Sequence, residues 1–207
     1  MSPIIQWLTD FGDQGIVLPT SVLIMLVLLW SRWWRGAIFW CALVLSVLGI
    51  MAVLKLAFGA CGWEASWLNI NSPSGHTAAF TMLYGGLICL YARWCSSVWQ
   101  AGIVALAIAI LAACSRLHLH YHTLPETVTG GVVGVTGVCM FRSQIGTPPR
   151  LPRLVPALIF LAILVVQHGN RLPAERQIHS FAALWLRASI CPLPSGTLPT
   201  NMEGRRF

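Results

Sequence analysis

Six apolar stretches dominate this chain and restrict what it can fold into. Of its 207 residues, 57% are hydrophobic and 9% are charged, which is too little polar surface to cover a soluble domain. Stretches of this length and polarity predict an all-α, six-helix transmembrane bundle. The predicted spans are 16–31 (entered at Pro19), 37–58, 76–92, 101–114, 126–141 and 154–167.

Two further segments, 3–11 and 171–190, place aromatic and aliphatic residues beside charged ones and are too polar or too short to span. Both predict short interfacial helices, one at each end of the bundle. The remaining C-terminal residues are rich in Pro, Gly, Ser and Thr, which is typical of irregular structure. We therefore divide the chain into a transmembrane bundle, 1–170, and a second unit, 171–207, that holds the interfacial helix and the irregular tail.

The distribution of positive charge indicates the partners and the orientation. The net charge is +7, but the basic residues are scattered over loops, which suits membrane lipid headgroups and not nucleic acid. The positive-inside rule places the loops after spans one, three and five in the cytoplasm, although five arginines of the tail oppose it. The basic residues of those loops are Arg32, Arg35, Arg93, Arg142, Arg150 and Arg153.

Polar chemistry is concentrated between spans four and five. The stretch from Ser115 to Glu126 contains Arg116, three of the six histidines and one of the six acidic residues. Ionisable groups near hydrocarbon cost roughly 2.5–3.5 kcal/mol on insertion scales, so a cluster of them indicates a working site. A solvated loop outside the membrane is the alternative interpretation of this stretch.

Several other polar groups are expected at the same membrane face, because each stands at the end of a span. Lys55 and Arg116 supply two positive charges, and Ser74 supplies a hydroxyl. Gly75 and His76 open the third span, where unpaired backbone N–H groups and the helix dipole attract an anion. Together these groups predict a phosphate-binding site.

His122 and Glu126 are one helical turn apart, so the carboxylate can hold one ring nitrogen while the other attacks phosphorus. The segment from Thr123 to Glu126 also fits a capping box, in which the Glu126 carboxylate accepts a hydrogen bond from a backbone N–H. The carboxylate can fill the capping role and the histidine-holding role together. His76 is a candidate acid for protonating the departing oxygen.

These residues form two motifs that resemble those of the type 2 phosphatidic acid phosphatase (PAP2) superfamily. The first is Ser72-Pro-Ser-Gly-His76, and the second is Ser115-Arg116 followed by His122 and an acid at 126. The resemblance covers roughly residues 16–167. It implies a phosphohistidine formed on His122, with His76 as the acid, and metal-independent chemistry that needs no cofactor. It further implies that Lys55, Arg116, Ser74 and Gly75 stabilise the phosphoryl group.

Two departures from the family pattern are visible. Glu126 stands where the family usually has Asp, and Gly62-Trp63 stands where the family's first motif has Arg-Pro after the lysine.

The resemblance implies a lipid phosphate or pyrophosphate substrate, for example undecaprenyl pyrophosphate, phosphatidylglycerol phosphate or phosphatidic acid. With the charge distribution, it implies a bacterial inner membrane protein whose active site faces the periplasm.

Three other functions stay open at this point. A phosphotransferase would resolve the same intermediate with an alcohol, and a non-catalytic lipid-binding or transport protein would keep the anion site without turnover. The third is a transition-metal site, since His118, His120 and His122 would share one face if this segment were extended.

Overall fold

A computed structural model describes residues 11–61, 72–152 and 154–167. Within these ranges the chain forms six α-helices and no β-strand, which confirms the predicted all-α bundle. The predicted interfacial helices, apart from Phe11, and the boundary at residue 170 lie outside the described residues. The helices are α1 Gln14–Trp30, α2 Trp34–Cys61, α3 Gly75–Tyr91, α4 Val98–His118, α5 Leu124–Ile145 and α6 Leu154–Gln167.

The beginning of α1 differs from the prediction that the chain enters this span at Pro19. The helix begins at Gln14, and Pro19 lies inside it. Asp13 is the N-cap, and its Oδ1 accepts a hydrogen bond of 2.8 Å from the backbone N–H of Gly15. An aspartate cap is a stronger start signal than a proline several residues later, so the prediction was wrong.

The polar stretch between spans four and five is also more helical than expected. The fourth helix continues to His118, four residues past its predicted end, and α5 begins at Leu124. Ser115 and Arg116 therefore belong to the last turn of α4. The connection between the helices is reduced to residues 119–123, which brings Arg116 close in sequence and space to the start of α5.

Among the described residues, three helices are long and apolar enough to cross a membrane: Trp34–Phe58, Val98–His118 and Leu124–Ile145. Large apolar side chains on their outer faces are exposed, including Leu45 and Val53 of α2, Ile103 and Ile110 of α4. Apolar surface this extensive is typical of helices that contact lipid. These features indicate a membrane protein.

The third helix lies at the centre of the bundle and contacts α1, α2, α4 and α5. Most of its side chains are buried, among them Met82 and Leu83. Trp40 of α2 is almost fully buried, donates a hydrogen bond of 3.0 Å to the carbonyl oxygen of Ser21 in α1, and stacks edge-on against Phe141 of α5. One side chain thereby connects three helices through the core.

Close approach of α3 and α5 depends on small residues. A Cβ atom on Gly134 would lie 2.7 Å from Cβ of Thr81 and 3.0 Å from the carbonyl oxygen of Ala78. Any larger residue would separate the helices, as expected where membrane helices associate through small side chains. This packing sets the position of the first turns of both helices, where the predicted site residues lie.

The bundle has two chemically different ends. The basic end consists of the connections α1–α2, α3–α4 and α5–α6, which contact one another: Arg35 Nε donates to the carbonyl oxygen of Gln144, and Arg142 donates to those of Ser96 and Gly146. The site end consists of the turn before α1, the residues leading into α3, and the α4–α5 connection. Which end faces the cytoplasm stays a prediction.

Candidate active site

The N-terminus of α5 positions the pair His122 and Glu126. Thr123 is the N-cap and Pro125 lies in the first turn, so the helix begins two residues after the imidazole. Oε2 of Glu126 is 2.9 Å from Nδ1 of His122 and accepts a hydrogen bond of 3.0 Å from the backbone N–H of Thr123. The capping role and the histidine-orienting role therefore coexist, as the sequence allowed.

The same glutamate connects α5 to the segment before α3. Its Oε1 accepts a hydrogen bond of 2.8 Å from the backbone N–H of Ser72, and its backbone carbonyl oxygen accepts one of 3.0 Å from the N–H of Ser74. The two motifs are thus joined directly through Glu126. The role of the Ser72 backbone is not visible in the sequence, because a main-chain donor leaves no signature in the residue type.

Hydrogen bonds indicate the chemical state that this buried pair favours. The side chains of His122 and Glu126 are 7% and 6% exposed. A carboxylate that accepts two backbone N–H bonds is stabilised in its ionised form, and it then accepts the Nδ1 proton of His122. We assign this tautomer from the hydrogen-bond network. It leaves the lone pair of the imidazole on Nε2, which is the atom that a nucleophilic role requires.

Lys55, from the C-terminal part of α2, reaches the first residue of α3. Its side chain is largely buried, and a Cβ atom on Gly75 would lie 3.2 Å from Cε and 3.8 Å from the ammonium nitrogen. The absence of a side chain at position 75 lets the lysine approach the helix N-terminus. A buried positive charge beside the first backbone N–H groups of α3 is a suitable environment for an anion.

Ser74 has a structural role in addition to the predicted phosphate contact. It is the N-cap of α3 and is fully buried. Its Oγ accepts a hydrogen bond of 3.4 Å from the backbone N–H of Thr77 and lies 3.0 Å from the hydroxyl of the same residue. A phosphate contact from Ser74 would have to coexist with this cap, so the predicted binding role stays a prediction.

His76 and Arg116 are at the same end of the bundle, on different helices. The His76 ring lies against the turn before α1, since a Cβ atom on Gly12 would lie 2.6 Å from its Nε2. The Arg116 guanidinium lies over the Tyr121 ring, 4.7 Å from its centroid, and the Tyr121 N–H donates to the Arg116 carbonyl oxygen. Cation–π stacking holds this charge beside the connection that leads to His122.

The proposed metal site required an extended segment, and the structure does not provide one. His118 is the last residue of α4, and His120 adopts a left-handed backbone conformation with φ of 56°. Both side chains are exposed, whereas that of His122 is buried against Glu126. Among the described ranges, no group of three or more His, Cys, Asp or Glu side chains is arranged to hold a metal ion.

Gly130 supports the site by allowing two segments to approach closely. A Cβ atom at this position would lie 2.2 Å from the carbonyl oxygen of Ser74 and 3.3 Å from Cβ of Thr77. The glycine therefore allows the segment before α3 to rest on α5, next to Glu126. The spacing of Gly130, Gly131, Gly134 and Gly137 along α5 favours close helix packing, but it does not show which backbone atom lies opposite each glycine.

The chain is similar to a bacterial protein of comparable length. Over 188 residues, 86% of this chain and 89% of the relative, the chain is 26% identical to an "uncharacterized 22.5 kDa protein in cps region" of Klebsiella pneumoniae. The similarity thus extends over nearly the whole of both chains. No protein-family model and no solved structure matches the chain.

Proposed function

We propose that this protein is an integral membrane lipid phosphatase that hydrolyses a phosphate or pyrophosphate monoester through a phosphohistidine. The observation that carries the proposal is the buried His122–Glu126 pair, with Nδ1 of the imidazole 2.9 Å from the carboxylate. The pair is joined through the Ser72 N–H to the segment that leads to Gly75. The Lys55 side chain, from α2, lies beside Gly75. A positioned nucleophile thus adjoins a positively charged helix N-terminus, which is the combination that phosphoryl transfer needs.

In the first step, Nε2 of His122 attacks phosphorus, and a P–N bond forms as the bond between phosphorus and the lipid oxygen breaks. The proton on Nδ1 of His122 stays on the ring, hydrogen-bonded to Glu126. The carboxylate stabilises the positive charge that develops on the imidazole. His76 donates a proton to the departing oxygen, so the lipid leaves as a neutral alcohol, or as a protonated phosphate if the substrate is a pyrophosphate.

In the second step, water attacks the phosphohistidine. His76, which has lost its proton, accepts one from that water, and the P–N bond breaks to release inorganic phosphate and the original imidazole. Lys55, Arg116 and the N–H groups at the beginning of α3 stabilise the negative charge of the transferring phosphoryl group in both steps. The site residues alone account for both proton transfers.

The location of the site supports a lipid substrate. His122 lies just before α5 and the Lys55 side chain reaches the beginning of α3, whereas the outer faces of the helices are apolar. A phosphorylated headgroup can enter between the helix ends while its acyl or prenyl chain remains in the bilayer. A lipid phosphate therefore suits both the polar helix ends and the surrounding bilayer, whereas a soluble phosphate ester suits only the polar helix ends.

The proposal is tested by phosphate release from purified protein in detergent, using a panel of lipid phosphates and pyrophosphates. We expect His122→Ala to abolish release, and His118→Ala, an exposed histidine at the end of α4, to retain it. Vanadate should inhibit the wild type, and EDTA should not. Equal activity in wild type and His122→Ala would overturn the mechanism.

The same assay distinguishes a phosphatase from a phosphotransferase and from a non-catalytic lipid-binding protein. Transfer of labelled phosphate to an added alcohol, with little release to water, would indicate a phosphotransferase that uses the same intermediate. Binding of lipid phosphates by the wild type without turnover of any of them would indicate a non-catalytic lipid-binding protein.

A further inference from the structure

A cavity lies at the basic end of the bundle, at the opposite end from His122. Its volume is about 450 Å³, and it is enclosed by the α3–α4 connection and the segment after α5. Three arginines line it: Arg93, Arg142 and Arg150. The size is within the usual range of small-ligand sites, roughly 300–1,000 Å³.

The charged side chains that line this cavity are all positive. None of the described residues that line it is acidic, and the two acidic residues that the structure describes, Asp13 and Glu126, both lie at the site end. Arg142 is buried and Arg93 and Arg150 are exposed, so the lining carries three positive charges with no described carboxylate beside them to balance the charge, which favours a bound anion. The cavity therefore has the electrostatic character of an anion site.

Arg142 shows that this cavity is built into the fold. The residue is 8% exposed, and its two terminal nitrogens donate to the carbonyl oxygens of Gly146 and Ser96. These bonds connect the end of α5 to the beginning of α4 and fix both walls of the cavity. The buried Nε of Arg142 has no hydrogen-bond partner among the described residues. A buried donor of this kind favours a ligand that can accept its hydrogen bond.

Aromatic side chains surround the same end. Trp94 in the α3–α4 connection and Trp99 at the start of α4 are 60% and 77% exposed. Trp30, the last residue of α1, and Trp34, the first residue of α2, are exposed as well. Exposed tryptophans at helix ends are typical of the headgroup level of a bilayer. A ligand of this cavity is therefore within reach of lipid headgroups as well as of solutes in the adjacent water.

We propose that the cavity binds a phosphate-bearing anion through Arg93, Arg142 and Arg150. Planar guanidinium groups match phosphate oxygens in geometry and charge. The anion is either the headgroup of an anionic phospholipid or a free phosphate, since both present the same oxygens. This site is separate from the proposed catalytic site and does not depend on phosphatase activity.

The test uses full-length, delipidated protein in detergent, titrated with phosphatidylglycerol by native mass spectrometry and with inorganic phosphate by calorimetry. The exposed arginines are changed one at a time, as Arg93→Gln and Arg150→Gln. The matched control is Arg32→Gln, which removes an exposed charge from the same end but not from the cavity. Any phosphate that binds at the site end binds equally to all variants. Differences in affinity between the variants therefore report binding at the cavity.

We expect Arg93→Gln and Arg150→Gln each to weaken binding by about tenfold, with Arg32→Gln close to wild type. Effects confined to phosphatidylglycerol identify a lipid headgroup as the ligand, and effects on inorganic phosphate as well show that the phosphate group is sufficient. Equal weakening by Arg32→Gln would indicate general surface attraction and overturn the proposal. Wild-type protein that binds neither probe would overturn it too.

Discussion

Glu126 is the residue on which the geometry of the candidate active site depends most. Its two carboxylate oxygens lie within hydrogen-bond distance of nitrogen atoms of Ser72, His122 and Thr123, and its side chain is almost completely buried. A buried carboxylate is tolerated only when its oxygens are satisfied in this way. The residue therefore orients the imidazole, begins α5 and holds the segment before α3.

This triple role predicts the effect of Glu126→Gln. The amide cannot accept all three hydrogen bonds, and it lacks the charge that stabilises a protonated His122 ring. We expect kcat for lipid phosphate hydrolysis to fall by about 10²–10⁴-fold, together with a lower thermal unfolding temperature in detergent.

Glu126→Asp is the conservative comparison for that experiment. It retains the charge but draws the carboxylate back by one methylene, so we expect kcat and the unfolding temperature to lie between those of the wild type and Glu126→Gln. Full activity of Glu126→Gln would show that the carboxylate does not assist the imidazole.

At the scale of helices, the contact between α3 and α5 determines whether the two motifs meet. Gly130 lies against the Ser74 carbonyl oxygen, and Gly131, the next residue, faces Ala109 of α4. A Cβ on Gly131 would be 3.5 Å from Cβ of Ala109, which is an ordinary contact distance. The two neighbouring glycines therefore offer a matched pair of alanine substitutions.

Gly130→Ala should move the segment before α3 away from α5, because its methyl group would overlap the Ser74 carbonyl oxygen. We expect a loss of about 1–3 kcal/mol in stability, seen as a lower unfolding temperature, and reduced activity. Gly131→Ala should leave both close to wild type. Similar behaviour of the two variants would mean that this contact does not position the site.

The helices were largely predictable from sequence, whereas their contacts were not. Apolar runs located all six described helices, because burial in a bilayer requires continuous apolar length. The His122–Glu126 pair was predictable because both residues lie within one local turn. The contacts of Ser72, Gly12 and Gly130 were not, since each depends on a backbone approach between segments distant in sequence.

At the scale of the whole molecule, the bundle separates two groups of charges. Lys55, Arg116 and the His122–Glu126 pair belong to the site end, and Arg35, Arg93, Arg142 and Arg150 belong to the basic end. This polarity gives the protein a predicted orientation, with the basic end in the cytoplasm.

Orientation can be measured by labelling single cysteines in a variant that lacks the native ones. A membrane-impermeant maleimide applied to intact spheroplasts should label His118→Cys at the site end, and Ser143→Cys near the basic end should react only in inverted vesicles. Both native residues are exposed, so access is not limited by packing. The reverse labelling pattern would place the site in the cytoplasm.

The phosphohistidine itself is the most direct measure of the proposed mechanism. Wild-type protein mixed with a radiolabelled lipid phosphate, quenched within the first turnover and digested at alkaline pH, is analysed by mass spectrometry for the labelled peptide. We predict an acid-labile phosphate on His122, absent in His122→Ala and retained in His118→Ala. Label on another residue, or lipid hydrolysis without any labelled intermediate, would contradict the account.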